Sequence, residues 1–129
     1  MIPKVLIADD ERTIADTLAT ILGMHGFEAR TAYDGEQALE TARHWRPHIL
    51  LTDVLMPGIS GIDAATAICR MLPECRVVLL SGITWLGDLV REVQGQGFVF
   101  EVLQKPIAPE ELVACLRKNG SAGQLASQG

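Results

Sequence analysis

Short, mostly apolar runs punctuate the chain, and each stops at a polar or charged residue. Val5–Ala8 gives way to Asp9 and Asp10, Ile49–Thr52 to Asp53, Val77–Leu80 to Ser81, and Phe98–Leu103 to Gln104 and Lys105. Runs this short and this aliphatic predict buried strands. Between them, apolar residues recur at helical spacing. Strands are expected at Lys4–Ala8, Phe27–Thr31, His48–Asp53, Arg76–Ser81 and Phe98–Gln104. The second is partly polar and belongs near a sheet edge. Helices are expected over Glu11–Met24, from Asp34 to about Trp45, from Ser60 to Pro73, over about Trp85–Val93, and from Pro109 to about Lys118.

The boundaries have chemical causes. Ile14, Leu18, Ile21 and Leu22 form one face of the first helix, and Gly23 and Gly26 bracket its end. Asp10 is placed to cap its start. Asp34-Gly-Glu-Gln37 and Ser60-Gly-Ile-Asp63 resemble capping boxes. Ile62, Ala65, Ile68 and Leu72 supply the buried stripe of the third helix, and Leu86, Leu89, Val90 and Val93 that of the fourth. Pro109 suits a first turn, with Glu110 and Glu111 at the start and Arg117 and Lys118 at the end of a helix, matching its dipole. Asn119-Gly120 stops it, and the small, polar tail to Gly129 is expected to be flexible.

Five strands alternating with helices across short loops imply parallel pairing in an α/β fold. The expected architecture is a single doubly wound, three-layer sandwich: a five-stranded parallel sheet, order 2-1-3-4-5, flavodoxin-like, with five helices. Strands 1 and 3 then meet where the chain order reverses, which brings Asp9, Asp10 and Asp53 together.

At 129 residues the chain can bury a core without disulfides or structural metal. Its net charge of −5 argues against direct nucleic-acid binding. No apolar run approaches the ~20 residues of a membrane span, and Met-Ile-Pro-Lys leads straight into a strand with no signal peptide. Cys69, Cys75 and Cys115, an odd number without C-x-x-C spacing, fit packing in a reducing cytoplasm. His44 and His48 are four apart, but Pro47 interrupts any helix that would align them on a metal. Gly95-Gln-Gly97 precedes a strand and so is no dinucleotide loop. Trp45 is expected to pack at a helix end; Trp85 either packs or serves a partner.

Three clustered carboxylates cannot all stay ionised cheaply, and a divalent cation relieves them. All-oxygen ligation with retained waters suits Mg²⁺. Lys105 can pair with Asp53 or with a phosphoryl oxygen, and the Ser81 hydroxyl can bond another. An aspartate is a competent nucleophile for an aspartyl-phosphate, with cation and lysine stabilising the transferred group.

In these stretches the sequence resembles the receiver domains of two-component response regulators, the CheY-like family. The matching segments are Val5-Leu-Ile-Ala-Asp-Asp-Glu11, Leu51-Thr-Asp-Val-Leu-Met-Pro-Gly-Ile-Ser-Gly-Ile-Asp63, Val78-Leu-Leu-Ser-Gly82 and Leu103-Gln-Lys-Pro106. They occur in order and in register. The resemblance implies a receiver over residues 1–118, followed by the tail 119–129. It implies Asp53 as phosphoacceptor, with Asp9, Asp10, Asp53 and the Leu55 carbonyl holding Mg²⁺, and Ser81 and Lys105 on the phosphoryl group. The implied donor is a phosphohistidine on a sensor histidine kinase or phosphotransfer protein. The implied readout is a downstream protein or an output domain, bound on the face of the last two helices and fifth strand, with a phosphorylation-dependent dimer as one form. No membrane partner is implied.

One position departs from the family. An aromatic residue usually stands three before the lysine, where this chain has Val102. Phe100, two residues earlier on the same strand face, is expected to take over part of the packing change that follows phosphorylation. Other functions fit less well. A metal-dependent aspartyl phosphatase would place a second acid where Leu55 stands, and a flavin carrier would need a hydroxyl-rich first loop instead of Asp-Asp-Glu11. A receiver fold acting as an unphosphorylated binding module would not need all five site residues.

Overall fold

The computed structural model describes residues 2–82, 91 and 94–118. Five strands, β1 (Lys4–Ala8), β2 (Glu28–Ala32), β3 (Ile49–Asp53), β4 (Arg76–Ser81) and β5 (Phe100–Gln104), form one parallel sheet in the order β2-β1-β3-β4-β5. The expected order is therefore the observed one. The helices are α1 (Arg12–Met24), α2 (Gly35–Trp45), α3 (Gly61–Met71) and α4 (Pro109–Arg117). The helix expected near Trp85–Val93, Trp85 itself and the tail 119–129 lie outside the described residues. Among the described residues no helix is long and apolar enough to cross a membrane.

Alternation along the strands divides the core in two. Leu6, Ala8, Leu50, Val77, Leu79 and Phe100 face α2 and α3, packing on Ala38, Ala42, Ala65 and Ile68. Val5, Ile7, Ile49, Leu51, Val78 and Leu80 face α1 and α4, packing on Ala15, Leu22, Leu112 and Leu116. Central β3 is buried along its whole length, while β2 alternates between covered and exposed residues, as an edge strand does.

Asp34 and Ser60 cap α2 and α3 through bonds from the Gln37 and Asp63 amides at 2.7 and 3.1 Å. The reciprocal arm of the first box is displaced by one residue: Gln37 Oε1 accepts from the Tyr33 amide. Gly23 and Gly26 bracket the end of α1 at Met24, as expected, and the chain turns at Gly26, whose φ of 91° favours glycine. Two expectations need correction. The cap of α1 is not Asp10; its N-cap is Glu11, whose side chain makes no capping bond, and the Glu11 amide donates to Asp9 Oδ1 at 2.9 Å. β5 starts at Phe100, because Phe98 packs its ring 5.9 Å from that of Phe100 before pairing with β4 begins.

The bland readings of several residues hold. His44 pairs with Glu40 at 2.7 Å, and His48 Nδ1 accepts from the Lys4 amide at 2.9 Å. All three cysteines are free thiols. Trp45 is buried at the end of α2 beneath Lys4 and Arg30.

Candidate functional site

Chain order reverses between β1 and β3, which are hydrogen-bonded neighbours although α1, β2 and α2 separate them in sequence. Their carboxyl ends open a cleft of about 410 Å³ lined by Asp10, Glu11, Asp53, Leu55, Ser81 and Lys105, among others. Ligands in open α/β sheets bind at such a switch point.

The three carboxylates meet as expected. Asp9, Asp10 and Asp53 each place an oxygen so that all three atoms lie within 4.8 Å of one another. Asp9 is 1% exposed, Asp53 buried and Asp10 open to solvent. Burial pushes the Asp9 carboxyl above its ordinary range, and the charges of Asp53 and Asp10 add to that. The Glu11 amide and the Lys105 ammonium oppose it without cancelling it. Asp9 Oδ2 is buried with no hydrogen-bond partner among the described residues. An orphaned buried carboxylate oxygen, beside two more carboxylates in an open cleft, is what a hard divalent cation would satisfy. The oxygen-only donor set fits such an ion.

Lys105 follows β5 and carries the balancing charge. Its Nζ donates to Asp53 Oδ2 at 3.1 Å and stands 3.6 Å from Asp9 Oδ2. Burial pulls its ammonium down, but the bond it donates to Asp53 and the charges of Asp53, Asp9 and Glu11 hold the net shift upward. Ser81 ends β4 opposite Gln104, and its carbonyl accepts from the Lys105 amide at 2.8 Å, so an inter-strand backbone bond positions these two residues against each other. Leu55 lines the cleft with its side chain 62% exposed. Val102 is 42% exposed on β5. Phe100 is buried in the core on the α2–α3 side and does not line the cleft.

Two residues not singled out from sequence hold Asp53 in place. The Thr52 hydroxyl, fully buried, donates to the Asp53 carbonyl at 3.0 Å. Gly61, first residue of α3, packs so closely that a Cβ there would lie 1.8 Å from the Asp53 carbonyl oxygen. Its amide donates to the Val54 carbonyl at 2.9 Å. The glycine at the first helical position after Ser60 was the available hint, but sequence shows only a turn there.

Comparisons with known proteins bear on the family and the fold. Residues 5–117 match the family described as response regulator receiver domain. The DNA-binding response regulator MtrA of Mycolicibacterium paratuberculosis is 35% identical over 115 residues, covering 88% of this chain and 49% of that protein. The chain thus spans about half the length of the curated relatives it matches. Chemotaxis protein CheY4 of Vibrio cholerae superposes with a TM-score of 0.82 at 28% identity, over 92% of this chain and 98% of that one. A CheY-like receiver domain protein from Methanospirillum hungatei shares the fold along its whole length, with a TM-score of 0.83 at 20% identity. The chain belongs to the response regulator receiver domain family.

Proposed function

We propose that residues 1–118 are a phosphoacceptor unit in which Asp53 takes a phosphoryl group from a phosphohistidine. The observation that carries this reading is the pairing of Asp53 with Lys105 at 3.1 Å on one side and with Asp9 and Asp10 on the other. An Asp53 carboxylate oxygen attacks phosphorus, the phosphorus–nitrogen bond to the imidazole breaks, and its electron pair returns to the ring nitrogen. Lys105 neutralises charge on the phosphoryl oxygens, and Ser81 donates its hydroxyl to one of them. Asp9, Asp10, Asp53 and the Leu55 carbonyl would hold Mg²⁺, which when bound draws negative charge off the transferring group. Asp9 serves best as a ligand that never leaves, since it is buried and fixed by the Glu11 amide.

The unit signals and does not turn over a substrate: the group stays on Asp53 until water removes it. Phosphorylation adds roughly −1.5 to −2 charge beside Ser81 and Lys105. It biases Ser81, β5 and α4 toward a second arrangement. Val102 has no ring to move, and Phe100 contributes by repacking against Phe98. The donor is a sensor histidine kinase or phosphotransfer protein in the cytoplasm, and the readout a protein target, a dimer or an output domain. DNA binding is a property of relatives such as MtrA, of which this chain spans about half.

Intact-protein mass after incubation with acetyl phosphate and Mg²⁺ tests the reading. One added phosphoryl group, absent with a chelator or in Asp53→Asn, is expected. No adduct would move the assignment to a receiver fold that binds partners without phosphorylation.

A further inference from the structure

Five polar or charged side chains among the described residues are buried. Asp9, Thr52, Asp53 and Ser81 gather at the carboxyl edge of the sheet around the site. The fifth is Arg76, 3% exposed, at the opposite edge as the first residue of β4, and the phosphoryl chemistry makes no use of it. A guanidinium withdrawn from water is costly unless its donors are met. Here Nε and Nη2 donate to the two carboxylate oxygens of Glu101 on β5, the latter at 2.8 Å. Nη1 donates to the carbonyls of Leu116 and Lys118, both at 3.2 Å, and Nη2 also to the Cys115 carbonyl at 2.8 Å.

Those three carbonyls are the end of α4. The last carbonyls of a helix are short of partners within it: that of Cys115 also accepts from the Lys118 amide at 3.3 Å, and α4 ends at Lys118 in extended backbone, without a left-handed cap. Arg76 supplies the cap from the sheet, and Glu101 fixes the plane of the fork.

The same two strands carry the site at their other ends. Ser81 closes β4, and Lys105 follows β5. Five residue steps, on the order of 16 Å, separate Arg76 from Ser81. A helix end bonded through one side chain to both strands cannot keep all its bonds if the strands shift against each other. We propose that Arg76 is a positioning residue: its clamp on Glu101 and on the end of α4 conveys the relative placement of β4 and β5 to the end of α4 at Lys118. This coupling rests on the phosphoacceptor reading above.

Hydrogen exchange on the full chain, with beryllofluoride and Mg²⁺ as the phosphoryl mimic, tests the coupling, and calorimetric titration separately reports whether the mimic binds. Loading the wild-type chain is expected to change exchange at amides 113–118 by at least about fivefold. Arg76→Met exchanges fast there in both states, with β1 and β3 unchanged. Because coupling is reciprocal, it binds the mimic with an affinity shifted by a comparable factor. Arg76→Lys keeps the charge but loses the fork, and follows Arg76→Met. Glu101→Gln, which retains the carbonyl bonds, still protects the helix end but responds weakly; it carries the test if Arg76→Met does not fold. A wild-type chain that binds the mimic with no response at 113–118 overturns the coupling, as does Glu101→Gln with wild-type response and affinity. A wild-type chain that binds no mimic refutes the phosphoacceptor reading together with the coupling, and the titration alone identifies that outcome.

Discussion

Substituting Gly61 by alanine isolates the contact that seats the end of β3 against α3. The added Cβ would stand 1.8 Å from the Asp53 carbonyl oxygen, 2.8 Å from its carbonyl carbon and 3.0 Å from the Val54 Cα. All three are backbone atoms, so no rotamer change relieves the clash. To restore a tolerable approach of about 3 Å, α3 and the end of β3 must separate by more than about 1 Å, the kind of overpacking that costs roughly 1–3 kcal/mol or more. Alanine's higher helix propensity returns at most about 1 kcal/mol, so a net loss of up to about 2 kcal/mol, or more, in urea unfolding is expected. The displacement falls on Asp53, whose carboxylate meets phosphorus in the function proposed above, and there about 1 Å of misplacement can cost on the order of 10²-fold. Phosphorylation by acetyl phosphate should therefore slow by one to two orders of magnitude, roughly. Gly23→Ala is the matched control: it lies within α1 with nothing within 4 Å of the added carbon. It should stabilise the fold by about 0.5–1 kcal/mol and leave the rate unchanged. If Gly61→Ala matches Gly23→Ala in both stability and rate, the close approach is wrong.

Further substitutions probe the charges around Asp53. The raised pKa of Asp9 means that its protonated form is favoured by folding. The stability this provides is complete below the ordinary carboxylate value of 3.8 and is lost as pH climbs through the folded value. Asp9→Asn, without metal, should thus be more stable than wild type at pH 7 by about 1–2 kcal/mol, with the gain vanishing toward pH 3.8. A loss at pH 7, or a gain independent of pH, would contradict this. Lys105→Met should cut the rate of phosphorylation by roughly 10²-fold while leaving carboxylates to hold Mg²⁺, and an undiminished rate would remove Lys105 from the chemistry. Burial pushes the Cys69 and Cys75 thiols up to about 11 and about 12. Alkylation at pH 8 should accordingly be slow in the folded protein and fast in urea; equal rates in both states would refute the burial.

Sequence by itself determined the order of elements and the composition of the site. Strand runs ending at Asp9, Asp53 and Ser81 and just before Lys105 are local patterns, and parallel pairing of alternating elements then gathers their ends at one edge. Capping by Asp34 and Ser60 was equally legible, because the donor lies three residues away. Tertiary structure alone decided what depends on contacts between distant segments. That Asp9, rather than Asp10, receives the Glu11 amide follows from which of two adjacent acids is drawn under the sheet edge. Gly61 reads as a turn residue until α3 is laid against the Asp53 carbonyl. Arg76 reads as a charge opening a strand, yet its partners lie 25 to 42 residues further along the chain. Only the register of β4 on β5 and the packing of α4 bring them within hydrogen-bonding reach, since local periodicity sets which face a residue occupies and not what meets it there.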